Sequence, residues 1–263
     1  MIAKIGVIGA NGRVGSTIAA KARSRGALAF SFARKPLEGA LADYSMIDRF
    51  PDVTFIAVSD YAINEIAERI AAESKAPIAG KIFAHCAGSL SLSPLAPLKE
   101  RGARIAAAHP YQTFYRLTET LIDGIAWGVE CDEEEFPAIA AAVETLNGFA
   151  FRLPGGIDRQ KYHASAVAAS NFATCAIGLG RELARQCGLP INEFFSPILK
   201  QTYENNLSLL NNSELPLSGP IARGDAAALE RHLDSMKDDP ELQSAYREFA
   251  AAAQVIYKIY QNL

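Results

Sequence analysis

The sequence predicts an α/β fold in which a doubly wound parallel sheet is followed by an all-helical C-terminal domain. Three observations support this prediction. Strand-like and helix-like segments alternate through residues 1–153, a glycine-rich turn joins the first strand to the first helix, and strand patterns stop after Pro154. The length of 263 residues is sufficient for one large or two modest domains with a substantial core.

Seven short apolar or β-branched segments are predicted to be strands: Lys4–Ile8, Leu28–Phe32, Val53–Val58, Ile82–His85, Arg104–Ala108, Ile125–Val129 and Phe149–Leu153. Amphipathic segments between them predict helices at Gly15–Arg25, Ala62–Ser74 and Glu133–Leu146. This alternation is typical of a parallel sheet with helices on both faces.

The Pro154-Gly155-Gly156 turn marks the predicted domain boundary, which gives domains of residues 1–153 and 154–263. Amphipathic stretches at about 158–187, 191–210, 225–237 and 240–262 predict the helices that follow. The alanine-rich stretch 164–180 carries serine, threonine and asparagine, so we expect it to lie among other helices and not in a membrane.

Charge and cysteine content narrow the class of protein. The formal net charge of −3 gives no electrostatic reason to expect a nucleic-acid or membrane partner. The four cysteines have neither CxxC nor metal-ligand spacing, which predicts reduced thiols in a cytoplasmic protein without a metal site. The chain starts directly with a strand-like segment, so we expect no signal peptide.

A glycine cluster, Gly9, Gly12 and Gly15, lies between the first strand and the first helix. Glycine lets the backbone approach a pyrophosphate closely, and the helix N-terminus offers unpaired N–H groups. The GxxGxxG spacing is one residue wider than the common GxGxxG. We therefore predict nucleotide binding, with an ordinary strand-to-helix turn as the alternative.

The end of the second strand indicates which nucleotide is bound. Arg34 and Lys35 follow this strand, and the first acidic residue is Glu38. Arginine suits the 2′-phosphate of NADP, whereas an acidic residue would suit the ribose of NAD. We therefore predict NADP, and a solvated basic turn is the alternative.

Polar residues also follow the third, fourth and fifth predicted strands. Ser59 is expected to flank the nicotinamide ribose, and Asp60 to cap the next helix. His85 and His109 end the next two strands at the same edge of the sheet, either as site residues or as hydrogen-bonded structural histidines. Cys86 is a weaker candidate nucleophile, because no neighbour in sequence would lower its pKa.

A polar stripe opens the helical region. Arg159, His163, Ser170 and Asn171 share one helical face, with Lys161 beside it. Reduction of a carbonyl or imine needs a proton donor and groups that polarise the reacting bond. Hydrogen bonding between helices or across a dimer is the alternative. In a later loop, Arg223 is a candidate for a substrate carboxylate, the cofactor or solvent, and Asp225 is a predicted N-cap.

Five ordered motifs together resemble Rossmann-like proteins with a helical C-terminal domain of unknown function, relatives of 6-phosphogluconate dehydrogenase, pyrroline-5-carboxylate reductase and ketopantoate reductase. The motifs are GANGRVG at 9–15, HCAGSLS at 85–91, AHPYQTF at 108–114, KYHASAVAASN at 161–171 and LSGPIARGD at 217–225. This resemblance implies an NADP(H)-binding N-terminal domain, a helical domain that often dimerises, and a site in the cleft between them.

Carried onto this chain, the resemblance implies site residues in two groups. It places the cofactor on Gly9, Asn11, Gly12, Arg13 and Val14, and it makes His85 and Ser89 cleft residues that we count among the cofactor contacts. Arg34, Lys35 and Ser59 join these expected contacts from the strand-end argument above. The other cleft residues are His109, Tyr162, His163 and Asn171, with Arg223 above them. The family's lysine corresponds to Arg159 or Lys161, and His163 is the alternative proton donor.

The predicted function is NADPH-dependent reduction of a small 2-oxo acid or imine, with ketopantoate as the most concrete substrate. Lys161 or His163 would protonate the product, while Asn171 and His109 would orient the substrate. A homodimer through the helical domain is expected. Two alternatives remain open at this point: a non-catalytic NADP(H) sensor or scaffold, and an oxidoreductase that uses a deazaflavin on the same cradle.

Overall fold

The computed structural model describes residues 3–35, 40–115, 118–212 and 214–262. Seven strands form one sheet in the order β2-β1-β3-β4-β5-β6-β7. The strands are β1 (Ile5–Ile8), β2 (Leu28–Phe32), β3 (Val53–Ile56), β4 (Ile82–His85), β5 (Arg104–Pro110), β6 (Ala126–Glu130) and β7 (Phe149–Arg152). All seven predicted strands are present, and their ends differ from the predicted ones by at most two residues.

Ten α-helices lie in the described residues. They are α1 (Arg13–Ser24), α2 (Ile63–Glu73), α3 (Ala96–Glu100), α4 (Phe136–Thr145), α5 (Arg159–Val167), α6 (Ala173–Gln186), α7 (Ile191–Ser208), α8 (Gly219–Ala222), α9 (Ala226–Ser235) and α10 (Pro240–Gln261). A π-helical turn, Ala168–Phe172, follows α5. The predicted fold class, a Rossmann-like sheet followed by helices, is confirmed.

The direction of β6 differs from the prediction of a fully parallel sheet. Strands β1 to β5 run parallel, β6 pairs antiparallel with β5, and β7 runs parallel to β6. Parallel neighbours need a long crossover, usually a helix. In the described part of the β5–β6 connection the only helical element is a short 3₁₀ turn, Glu119–Ile122, so the chain returns antiparallel.

Two hydrophobic cores cover the two faces of the sheet, because successive strand residues point to opposite sides. Val7 and Phe55 lie in one core with residues of α1 and α4, such as Ile18 and Val143. The other core contains Ile8, Ile56 and Phe83, and it is closed by residues of α2 and α3, such as Ile66 and Leu98. This arrangement is the doubly wound architecture.

The chain divides into two compact units, Met1–Ala168 and Ala169–Leu263. Helix α5 therefore packs with the sheet. The predicted boundary after Leu153 coincides with the end of the last strand, and as a division between functional domains it stays a prediction. Within the described ranges, no helix is both long and apolar enough to span a membrane.

Candidate functional site

The glycine loop lies at the point where the strand order reverses, between β1 and β3. In open α/β sheets, ligands bind in the crevice at the carboxyl ends of such strands. Gly9 has φ +90°, and a Cβ there would overlap the Ala57 carbonyl group of the β3 end. A Cβ at Gly15 would overlap the Gly9 carbonyl group. Both positions therefore require glycine.

Helix α1 begins directly after this loop, with Gly12 as its N-cap. No side chain caps this end of α1, and its first turn contains no acidic residue. Arg13 and Val14, two predicted cofactor contacts, form the first turn. An uncapped helix N-terminus presents free N–H groups and a positive dipole end, which together favour a bound anion.

A cleft of about 720 Å³ opens beside the glycine loop. It is bordered by the ends of β1, β2 and β3 and by the start of α2. Asn11 Nδ2 donates to the Lys35 carbonyl oxygen at 2.5 Å, which ties the loop to the β2 end. The side chains of Arg34 and Lys35 are exposed, and Glu38 lies outside the described residues. Six predicted cofactor residues line this cleft: Gly9, Asn11, Gly12, Arg34, Lys35 and Ser59.

The turn after β3 differs from its prediction at Asp60. The N-cap position belongs to Ser59, and Asp60 does not cap the helix. The Asp60 carboxylate instead accepts a hydrogen bond from the Ser89 hydroxyl at 3.0 Å. This bond links the turn at the cleft to the loop that follows β4. Ser89 is thus placed beside the cleft turn, although it does not line the cleft itself.

The buried ring of His85 supports the loop that follows β4. Its Nε2 lies 3.0 Å from the Ser91 carbonyl oxygen, and its Nδ1 accepts from the Ala87 N–H at 3.2 Å. Both ring nitrogens thus contact the backbone of this loop. Burial lowers the pKa of His85 to about 4. Burial also raises the pKa of Cys86 to about 12, which disfavours the thiolate form that a nucleophile needs at neutral pH.

The start of helix α5 also contacts the loop that follows β4. Arg159 Nη2 donates to the Ala87 carbonyl oxygen at 2.9 Å, and Gln160 Nε2 donates to the Ser89 carbonyl oxygen at 3.1 Å. His163 packs directly on Gly88, where an added Cβ would lie 2.5 Å from its Cδ2 atom. Arg159 and His163 are four residues apart, and they meet the same loop as the helical periodicity predicts.

His109, Tyr111, Tyr162 and His163 form what we call the histidine–tyrosine cluster. His109 Nδ1 lies 3.0 Å from the Tyr162 hydroxyl oxygen. The His109 ring meets the His163 ring edge to face, with centroids 5.8 Å apart. The Tyr111 hydroxyl lies 2.6 Å from the hydroxyl of Ser165 in α5. The cluster thus joins the end of β5 to α5.

The electrostatics of this cluster keep His109 uncharged at neutral pH. Burial lowers the pKa of His109 to about 4, and the nearby His163, Arg159 and His85 act in the same direction. Burial raises the pKa of Tyr162 to about 12, against the opposing effect of Arg159. The Arg159 guanidinium carbon lies 5.3 Å from the centre of the Tyr162 ring, within cation–π range.

Lys161 faces solvent, and two further predicted residues, Asn171 and Arg223, belong to the second unit. The Lys161 side chain is 89% exposed and faces Asp158 at 3.8 Å. Asn171 lies in the π-helical turn of the second unit, where its Oδ1 accepts from the Ser170 hydroxyl. Arg223 is exposed and ends helix α8, whereas Asp225 caps α9 through the Ala228 N–H, as predicted.

Two glycines beside the cluster were not predicted as functional. A Cβ at Gly128 of β6 would overlap the Tyr162 hydroxyl, and one at Gly88 would lie 2.9 Å from His109 Nε2. A sequence signal existed only for Gly88, which follows a strand-ending histidine in HCAGS. Gly128 is adjacent to His109 only through the antiparallel β5–β6 pairing. Sequence periodicity does not reveal that pairing.

With this geometry established, comparison with known families gives a clear match. Residues 125–253 match the model described as Domain of unknown function (DUF2520). The matched segment, a little under half of the chain, begins at β6 and extends into α10, so it contains Tyr162 and His163 but not the glycine loop or His109. No curated protein sequence matches this chain.

Solved structures share the fold over nearly the whole of this chain. A Bacteroides fragilis protein provisionally named an NADP oxidoreductase is 21% identical, with a TM-score of 0.76 over 96% of this chain and 98% of that one. Plasmodium falciparum pyrroline carboxylate reductase, solved with NADP bound, is 13% identical, with a TM-score of 0.54 over 97% and 98%. A Myxococcus stipitatus imine reductase, solved with NADP⁺, is 16% identical, with a TM-score of 0.56 over 98% and 93%. These likenesses confirm the Rossmann-like fold that the motif resemblance implies.

Proposed function

We propose that this protein is an NADP(H)-dependent oxidoreductase that reduces a small 2-oxo acid or imine. One observation carries the proposal: an uncapped helix N-terminus and a glycine loop open into a cleft that also displays two basic side chains. The fold is shared with proteins named as NADP oxidoreductases and imine reductases, which supports this choice of reaction class. The cofactor, when bound, supplies the hydride.

The residues of the cleft fit a dinucleotide phosphate. Gly9 and Gly15 keep the space that a Cβ would fill, so the backbone N–H groups near Gly12 would hold the pyrophosphate. The exposed Arg34 and Lys35 would bind the 2′-phosphate, for which a guanidinium offers two parallel hydrogen bonds. Asn11 fixes the Lys35 backbone by its hydrogen bond and thereby keeps these cations beside the cleft.

The proton donor is the second element of the proposal. Of the two donors that the sequence leaves open, His163 adjoins His109 and Gly88, whereas Lys161 is solvated and paired with Asp158. We therefore propose His163 as the donor and His109 as an orienting group. The predicted roles of Asn171 in orienting the substrate and of His85 and Ser89 at the cofactor stay predictions.

Loss of NADPH absorbance tests the reaction against a panel of 2-oxo acids, including ketopantoate, and cyclic imines, including pyrroline-5-carboxylate. We expect turnover of at least one compound, and a fall in kcat of about 10²–10⁴-fold in His163→Gln. Lys161→Gln should leave kcat nearly unchanged. NADPH binding without any consumption would instead favour the sensor or scaffold. Displacement of NADPH by a deazaflavin would favour the alternative of a deazaflavin-dependent oxidoreductase.

We also propose that a second copy of the chain covers the helical unit. Neither α7 nor α10 contains a buried residue, although both carry large apolar side chains. Pairs four residues apart lie on one helical face, as with Phe194 and Ile198 or Val255 and Ile259, and these four side chains are 49–61% exposed. Exposed apolar surface of this extent is typical of an interface.

Sedimentation velocity at micromolar concentration tests the dimer. The wild type is expected to sediment as a dimer, and Ile198→Glu as a monomer, because a carboxylate in an apolar interface loses its hydration. Ile198→Val keeps the apolar surface and is the matched control. A monomeric wild type would contradict the proposal.

We further propose the cytoplasm as the compartment, in keeping with four unpaired cysteines.

A further inference from the structure

We propose that Asn11 determines the preference of this protein for NADPH over NADH, although it does not itself bind the 2′-phosphate. Its side chain holds the backbone of the turn that carries Arg34 and Lys35, and these two cations then border the cleft in a fixed position. Asn11 is a positioning residue in this arrangement. The inference rests on the NADP(H)-dependent function proposed above, and it names the residue that makes the cofactor site selective.

The wide spacing of the glycine loop builds a complete β-turn. Gly9 and Gly12 are three positions apart, and the Gly12 N–H donates to the Gly9 carbonyl oxygen at 2.9 Å. Ala10 and Asn11 therefore occupy the two central positions of this turn. The more common GxG spacing has one residue between its glycines, so it cannot form a four-residue turn between them. The additional residue thus adds a side chain at the corner of the loop.

Two separate anchors tie this β-turn to the end of β2. The N–H groups of Gly9 and Ala10 both donate to the Phe32 carbonyl oxygen, at 2.9 and 3.0 Å. Beyond Phe32, the Lys35 carbonyl oxygen accepts from Asn11 Nδ2 at 2.5 Å. The first anchor uses backbone atoms alone, so it persists when the Asn11 side chain is removed. Loss of that side chain therefore releases the Lys35 backbone and leaves the glycine loop in place.

The basic turn is held at two points, with Arg34 between them. At the first point, the Ala33 N–H donates to the Leu41 carbonyl oxygen at 3.0 Å. The second point is the Lys35 carbonyl oxygen, which within the described ranges has no hydrogen-bond donor besides Asn11. The side chains of Arg34 and Lys35 are exposed and line the cleft. Long exposed side chains lose conformational freedom when they bind a phosphate, and a fixed backbone reduces that cost.

This arrangement separates two parts of the cofactor. NADPH and NADH share the pyrophosphate, for which the glycine loop and the N-terminus of α1 are suited, and they differ only in the 2′-phosphate. A change at Asn11 affects the shared part little, because the bonds to Phe32 keep the loop in place. The same change loosens the two cations that only the 2′-phosphate needs. Selectivity, and not general affinity, therefore depends on Asn11.

Isothermal titration with NADPH and with NADH measures this selectivity without any substrate or turnover. In Asn11→Ala, we expect Kd for NADPH to rise about 10-fold and Kd for NADH to change by less than about 2-fold. Asn64→Ala is the matched control, because it removes another exposed side-chain amide of the first unit, whose Nδ2 donates to Glu68 within α2 at 2.8 Å. It should bind both cofactors as the wild type does.

A double-mutant cycle shows whether Asn11 acts through the cations. When Arg34→Ala and Lys35→Ala are already present, addition of Asn11→Ala should leave Kd for NADPH within about 2-fold, because the groups that it positions are gone. A further loss of about 10-fold in that background would overturn the proposal. Unchanged NADPH affinity in Asn11→Ala would also overturn it. Equal losses for NADPH and NADH would do the same, since Asn11 would then contact the part that both cofactors share.

The wild type itself provides two further outcomes. Equal affinity for NADH and NADPH would overturn the selectivity and leave the nucleotide site standing. Binding of neither cofactor would contradict the proposed function, and limited trypsin proteolysis of the cofactor-free protein then decides the support of the basic turn. Cleavage after Arg34 should be at least about 3-fold faster in Asn11→Ala than in the wild type or Asn64→Ala. An unchanged cleavage rate would overturn that support.

Discussion

Gly15→Ala is expected to raise Kd for NADPH at least about 100-fold, the largest effect that we predict on binding. A Cβ at this position overlaps the Gly9 carbonyl group, which belongs to backbone and cannot rotate away. The loop must therefore shift from the place where its N–H groups meet the pyrophosphate. Titration of the tryptophan fluorescence with NADPH measures the change, and circular dichroism checks that the fold persists.

Two variants separate this effect from general damage to the fold. Gly155→Ala adds the same methyl group in open space within the first unit, and it should bind NADPH as the wild type does. Arg34→Ala should weaken NADPH by about 10- to 100-fold and NADH hardly at all, because only NADPH carries the 2′-phosphate. Normal NADPH binding by Gly15→Ala would contradict the location of the cradle.

Acidification from pH 6.5 to pH 4 is expected to remove much of the stability of the first unit. The pKa of both His85 and His109 is lowered to about 4 in the folded protein by burial, from 6.5 when unfolded. Between these values the unfolded chain binds more protons, so the free energy of unfolding falls as the pH falls. Each histidine contributes about 3 kcal/mol, present in full above pH 6.5 and lost by pH 4.

Urea unfolding in steps between pH 7 and pH 4.5 measures this dependence. The difference in the free energy of unfolding between wild type and His109→Gln reports on this one histidine. The carboxylates that titrate over the same pH range are common to both proteins. The variant should show a shallower loss of stability on acidification. His232→Gln, in the second unit, controls for the exchange itself and should follow the wild type. Equal pH slopes for wild type and His109→Gln would contradict the assigned burial effect.

Patterns local in sequence were sufficient to predict most of the fold. Short apolar or β-branched runs identified every strand, and Gly9 and Gly12 marked the loop because turns and close backbone approaches need glycine. The antiparallel β6 was not predictable from such patterns. Its direction depends on the absence of a crossover helix in the described part of a connection between Pro110 and Ala126, and periodicity within each strand is unaffected by that.

The candidate site was predictable as a set of residue types, but not as a set of contacts. His109 and Tyr162 are 53 positions apart, and their hydrogen bond exists only because α5 packs on the end of β5. Asp60 looked like a helix cap because capping depends on adjacent residues, whereas its real partner, Ser89, is 29 positions away. Burial of His85 likewise depends on tertiary packing, so the sequence left open whether it was a ligand or a support.

The packing of α5 with the sheet determines how this protein can be shortened. A fragment that ended at the Pro154 turn would keep all seven strands. It would lose the His163 ring that packs on Gly88 and the Tyr162 hydroxyl that lies beside His109 Nδ1. The Ala87 carbonyl group would also lose Arg159. The shortest fragment that preserves the cluster therefore ends after α5, close to Ala168, where the first unit ends.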